Sequence, residues 1–467
     1  MKKTILLTAI FAVSAFSAEV VSQADSRSSL NLTIYNNNRA LVQEKRKIKL
    51  DKGVANIRFE GVAQQIIPQS LIVVSNGGFS VLEQNYEFDL ISREKLLEKF
   101  VGKEVTLIDE NNLLGSEKRT TAKIVANNFM PVFEVDGKIL LGFDGKILLP
   151  EIPENLYAKP TLNWLVESKK ASEATADITY LTNGLSWNAD YVMLLADDDK
   201  SAAITAWVTL TNQSGTAFEN ANLQLIAGDV NMIQQMQPRM MRAMAAGNIM
   251  MDEVSAAPRM EQRSFDEFHL YSVANPVSVN ENQTKQIEMF AAENVKTQRR
   301  YRVQSGGFYI PARSDNDKGN PLSVQSEIVF ETGKKNNLDL PFPRGIIRIY
   351  KKDGTNNIFV GEDNVNHTPI NEEIVLRSGN AFDITAFERK VSEKQISDKK
   401  SEFVKEITFS NHKKESITLW FEENLWGNWT IKSDAKYTKI NANTARFEVS
   451  VPAGKSVVLK YTATIER

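Results

Sequence analysis

Cysteine is absent from all 467 residues, and only three histidines are present. The first absence excludes disulfides, zinc–thiolate sites, thiol nucleophiles and a lipid anchor on a processed cysteine. A chain of this length without disulfides must be held by the burial of its own cores. The second leaves few ordinary acid–base groups, and Gly-x-Ser-x-Gly, His-Glu-x-x-His and phosphate-loop signatures are missing too. The sequence is therefore expected to be non-enzymatic and implies no cofactor. Charge of one sign is also lacking: 56 basic residues face 58 acidic ones, so no basic field draws the chain to nucleic acid. Long apolar runs are missing after the first residues, so no transmembrane segment is expected in a mature chain.

The one apolar run, Ile5 to Phe16, follows Lys2 and Lys3. Small residues at Ser22-Gln23-Ala24 follow it, with Ala15-Phe16-Ser17 as a second candidate processing site, and this is the pattern of a signal peptide. Residues 1–24 are read as that leader, leaving 54 basic and 57 acidic residues. An exported protein, in the periplasm or on the outer side of a bacterial envelope, is expected.

What fills the chain is β texture. Leu30 to Leu50 reads as strand, Asn36-Asn37-Asn38 turn, strand, and Ile57, Phe59, Leu71 and Val73 continue the alternation. One short helix is expected: Ser92 can cap "REKLLEKF", whose Leu96, Leu97 and Phe100 share a face, and Gly102 stops it. Between Lys103 and Pro150 five short strands with two Asp-Gly hairpin signals, Asp136-Gly137 and Asp144-Gly145, suggest a small SH3-like barrel. Val208-Thr209-Leu210-Thr211-Asn212 matches Ile407-Thr408-Phe409-Ser410-Asn411 in pattern, each an alternating strand feeding a turn whose Asn can bond its own backbone. Such strands suit an immunoglobulin-like sandwich, and the last seventy residues supply one, with Trp420, Trp426 and Trp429 as its aromatic weight.

The fold expected is all-β and multidomain. An N-terminal β domain (25–95) and a barrel-like region (96–160) precede a central sandwich (161–390), and an immunoglobulin-like domain (391–467) closes the chain. A Met-rich loop (231–262) interrupts the central sandwich and is longer than ordinary connections.

On "YLTNGLSWNADYVMLL", "TNQSGTAFENANLQLIAGDVN", "GEDNVNHTP", "NLWGNWTI" and "FEVSVPAG" the chain resembles the bacterial exported domain-of-unknown-function proteins that include the mucoidy inhibitor A-like group. The resemblance covers roughly Leu30 to Glu466 and is strongest after Pro160. It implies a β-rich envelope protein without established enzymatic activity. The long coiled-coil insertion that many of those relatives carry near the N-terminus is missing here.

Three clusters invite chemistry. Met232, Met236, Met240 and Met244 recur every fourth residue, and thioethers select Cu(I); but Pro238 interrupts the run and no His or Cys lies within it. The competing reading is a loop whose methionines rest on an apolar surface or a partner. Glu362, Asp363 and His367, with Glu372 and Glu373 nearby, can bind a divalent cation, act as acid and base, or simply form a polar turn. Trp187, Asn188 and Asp190 can hold a sugar, or Trp187 can anchor a core while the other two bond backbone. The function expected is a non-catalytic interaction or scaffold module for an envelope protein or polysaccharide. A Cu(I)-handling protein and a carboxylate-dependent enzyme acting on glycans are the alternatives.

Overall fold

The computed structural model describes residues 18–76, 78–87, 89–111, 116–153, 156–228, 230–231, 260–307 and 319–466. Strands dominate, and among the described residues the one α-helix is Arg93–Lys99. Its start follows from local chemistry: the Ser92 side chain accepts a hydrogen bond from the Lys95 amide, and Gly102 takes a positive φ just beyond its end. Among the described residues, no helix is long and apolar enough to cross a membrane.

The fold is all-β and multidomain, as expected, but its units are not consecutive in sequence. One compact unit comprises Met1–Ser186, Leu210–Ile226 and Asn275–Lys285; the other comprises Trp187–Thr209, Ala227–Ala274 and Gln286–Arg467. The stretch expected to form one central sandwich, 161–390, thus contributes to both. Strand pairing over long sequence separations decides this, and alternation patterns carry no information about it.

In the first unit, Ala18–Ser22 pairs in parallel with Gly53–Glu60, which is followed across the sheet by Thr161–Ser168 and Ser80–Glu87. The strand Ala18–Ser22 lies within the segment read as leader. In a second sheet Phe218–Ala227 lies parallel to Arg27–Tyr35, which forms a hairpin with Arg39–Leu50 through the Asn36–Asn38 turn. Along Arg39–Leu50 the inward positions are Ala40, Val42, Glu44, Arg46, Ile48 and Leu50, so two charges occupy core sites. Arg46 is 0% exposed and is fully engaged. It donates to Glu44, to the Ser22 carbonyl at 2.9 Å and to the Glu60 carbonyl at 2.8 Å, and its guanidinium stacks on Phe59 at 3.5 Å.

The barrel-like region is one antiparallel sheet whose order runs Lys138–Leu141, Met130–Val135, Ser116–Asn128, Glu104–Asn111, Lys146–Leu148. Its core gathers Val105, Leu107, Ile124 and Phe133 with Leu97 and Phe100 of the helix. In this region, expected to be a small SH3-like barrel, no pairing among the described residues joins the two end strands. Asp136-Gly137 is the tight hairpin turn expected, with both residues at positive φ. Asp144-Gly145 instead links Lys138–Leu141 to Lys146–Leu148, strands at opposite ends of the sheet.

The second unit contains a β-sandwich larger than the last seventy residues. One sheet runs Glu373–Asn380, Val324–Glu331, Gln298–Gln304, Ile417–Asn424, Thr444–Val451, Tyr437–Asn441. The other runs Asn320–Leu322, Ile384–Ser397, Lys400–Asn411, Ser456–Glu466, Asn428–Ser433. Their inner faces share one core, with Val303, Leu419, Phe421 and Phe447 from the first and Phe403, Ile407, Phe409 and Tyr461 from the second. Phenylalanine and tyrosine, not tryptophan, carry its aromatic weight: Trp426 is exposed, Trp429 packs only partly against the core, and Trp420 faces outward.

The two matching sequence patterns fold alike. Asn212 accepts from the Ser214 amide and donates to the carbonyls of Thr216, Val279 and Asn280. Asn411 accepts from the Lys413 amide and donates to the carbonyls of Glu415, Val451 and Pro452. Both side chains are buried, and each ties its own turn to the end of a distant strand.

Candidate ligand site on the C-terminal sandwich

The outer face of the six-stranded sheet is built by strict alternation. Tyr301 and Val303 go to the core while Arg300 and Arg302 face outward; Leu419 and Phe421 go inward while Trp420 and Glu422 face outward. Gln298–Gln304 and Ile417–Asn424 run parallel, which sets Arg302 opposite Trp420. On the far side Arg446 lies opposite Glu422, and on the near side Glu327 lies between Arg300 and Arg377. Four arginines from three strands thereby share one face with the Trp420 indole.

Their partners differ. Arg300 and Arg446 place guanidinium carbons 3.9 and 4.0 Å from the Trp420 ring centroid, so the indole is cation-bound twice. Arg300 pairs with Glu373 through two hydrogen bonds of 3.0 and 3.3 Å. Glu422 receives forked donation from Arg302 on one oxygen and from Arg446 on the other. Burial alone raises the Glu422 pKa, but the hydrogen bonds from Arg302 and Arg446 outweigh it and hold the carboxyl below its ordinary range.

Two groups at this face are left over. Glu327 is buried, its Oε1 accepts no hydrogen bond, and the nearest cation is Arg302 Nη1 at 3.7 Å. The Arg377 guanidinium has no ion pair or hydrogen bond among the described residues, although its backbone amide donates to Asp363. Both line a depression of about 320 Å³ together with Arg300, Arg302, Glu373, Val375, Trp420 and Arg446. Four guanidinium groups outnumber the carboxylates of Glu327, Glu373 and Glu422 by one. The surplus cation can take an anionic group, and the vacant Glu327 oxygen can accept from a neighbouring donor on the same ligand.

This constellation was not among the sequence candidates. "QRRYRVQ" does put Arg300 and Arg302 on one face by period two, but their carboxylate partners Glu373 and Glu422 stand 73 and 120 residues away in sequence.

The residues singled out from sequence lie elsewhere. Met232, Met236, Met240 and Met244 fall outside the described residues. Glu362 and Asp363, expected in a polar turn, lie instead within the strand Asn356–Val365. Gly361, at φ 153, marks a bulge opposite Ile349 and Tyr350 and not a chain reversal, because glycine tolerates the local kink. Glu362 is more than half exposed and lies 3.5 Å from Arg348; Asp363 accepts from the Arg377 and Asn364 amides; His367 Nδ1 accepts from the Arg344 amide. Among the described residues no three His, Asp or Glu side chains are grouped to hold a metal ion. Trp187 is fully buried and meets Tyr271 edge-on at 6.3 Å. Asn188 and Asp190 point to the opposite face of that strand, where Asp190 bonds Thr209 and Arg348. The three do not converge.

Compared with known proteins, the chain matches no family model and no curated protein.

Proposed function

We propose that this protein is a non-catalytic interaction module of an exported bacterial envelope protein, which docks an anionic group of an envelope protein or glycan on the arginine-lined face of its C-terminal sandwich. One observation carries the reading: Arg377 is an unneutralised guanidinium at the rim of a depression whose other three arginines are already paired. Those paired arginines are held rigid by Trp420 and by Glu373 and Glu422, so the face is preorganised and a ligand orders little on binding. The sequence resemblance to the mucoidy inhibitor A-like exported proteins agrees with an envelope location.

The test is calorimetric titration of the full chain with poly-glutamate and with polygalacturonate at low salt. Binding should weaken by about tenfold or more in Arg377→Ala, as removal of one charge-assisted contact predicts, and should fall as salt is added. Failure of both polymers to bind, or binding indifferent to the substitution, overturns the reading.

A further inference from the structure

Between the two sheets of the C-terminal sandwich lies a second ionic cluster, buried and independent of the arginine face. Lys405, on Lys400–Asn411 of one sheet, meets Glu423, on Ile417–Asn424 of the other. Its Nζ is 3.0 and 3.2 Å from the two Glu423 oxygens and 2.8 Å from Glu388 Oε1. All three side chains are 0–1% exposed. Tyr461, opposite Lys405 in the sheet register, donates to Glu423 Oε2. Glu388 is otherwise satisfied by the Ser305 hydroxyl and the Gly306 amide.

Three ionisable groups sealed in an apolar core are costly to keep charged. Burial pushes the Glu423 carboxyl pKa up, toward the protonated acid, although Lys405 and the Tyr461 hydroxyl act against it. An amine in contact with a carboxylic acid, beside a second carboxylate that can take a proton and away from bulk water, is a set-up for condensation.

We propose that Lys405 and Glu423 join in an intramolecular amide that staples the two sheets of the sandwich. Lys405 gives a proton to Glu388, and its nitrogen lone pair forms a bond to Cδ of protonated Glu423. The tetrahedral carbon then expels its hydroxyl, which takes a further proton from the nitrogen and leaves as water. One N–C bond forms and one C–O bond breaks; nothing is oxidised or reduced, and Glu388 ends protonated. The buried charges are replaced by a neutral amide, and Glu388 keeps its Ser305 and Gly306 donors. The bond supplies an exported chain without cysteine with a covalent cross-link that reduction cannot open.

Intact-mass measurement of the full chain, with its ends defined by sequencing, decides the matter. The mass should fall one water below that of the amino-acid sequence, and fragmentation should find the peptides of Lys405 and Glu423 linked. Lys405→Met should restore the full mass, and Glu388→Gln should slow linkage after refolding by about 100-fold, as loss of a general base does. A wild-type mass equal to the sequence, or a water deficit that maps to other residues, overturns the proposal. The wild-type reading is decisive even if a variant misfolds.

Discussion

Glu422 and Glu423, neighbours on one strand, point to opposite faces of the same sheet and are driven to opposite ionisation ranges. Outward, burial raises Glu422 but donation from Arg302 and Arg446 overrides it, and the carboxyl is held low. Inward, burial dominates over Lys405 and the Tyr461 hydroxyl, and the Glu423 carboxyl is held high. The period of two in a strand separates the arginine-lined outer face from the buried Lys405–Glu423 cluster by a single residue.

The pH dependence follows from the signs. Because the folded Glu422 pKa lies below its unfolded value, its contribution is complete above the ordinary carboxylate range, near ~4.3, and is lost as pH falls through the lower folded value. Glu422→Gln should lower stability at neutral pH and flatten the acid limb below about pH 4. Urea midpoints measured across the acid range check this, and an unchanged acid limb contradicts it. Glu423 has the opposite sign. Its raised folded pKa stabilises below the unfolded value and the benefit is lost as pH rises, a dependence that disappears once the amide forms.

Arg46 sits at an inward strand position, where Glu44 and two backbone carbonyls accept its hydrogen bonds. Arg46→Ala leaves Glu44 buried with Arg27 as its remaining partner, and it should destabilise the first unit by about 3–5 kcal/mol. Arg46→Met combined with Glu44→Gln should recover part of that loss, because the buried carboxylate is then gone and Arg27, 11% exposed, keeps the Gly61 carbonyl. Urea unfolding of the two variants side by side makes the comparison.

The strand Ala18–Ser22 gives a prediction about processing. Cleavage after Ala24 removes this strand, the Ser22 carbonyl that Arg46 uses and the ion pair of Glu19 with Arg58. Cleavage after Ser17, where Ala15 and Ser17 are the small residues, preserves all three. N-terminal sequencing of the protein recovered from the cells that make it should therefore begin at Ala18. A chain starting at Asp25 contradicts this, and one starting at Met1 contradicts export itself.

Asn212 and Asn411 should be equally intolerant of change. Each holds three carbonyls and one amide, and Asn→Ala orphans them in the interior at about 1–3 kcal/mol for each group left unsatisfied. Asn212→Ala and Asn411→Ala, compared by hydrogen exchange at their turns, should each open the turn and the strand end it ties. A large effect at one and none at the other would separate the two motifs.

Much of the fold was legible because its signals are local. Ser92 and Gly102 bound the helix, Asp136-Gly137 makes its hairpin, and the Asn-ended strands fold as their shared pattern suggests. The errors arose where a local cue had two outcomes. A glycine beside acids at Gly361 is equally a turn or a bulge, and Asp144-Gly145 joins two strands that run in the same sense at opposite ends of the sheet instead of pairing as a hairpin.

The sequence by itself determined that this chain is β-rich, lacks thiol chemistry and places residues of one strand on alternate faces, since these depend on composition and a period of two. It also sent Trp187 to one face of its strand and Asp190 to the other. Only the tertiary structure decided which strands meet. The parallel pairing of Gln298–Gln304 with Ile417–Asn424 creates the arginine face, and the packing of the two sheets brings Lys405 to Glu423. Pairing and packing are set by the combined burial of many distant side chains, and no single strand encodes its partner.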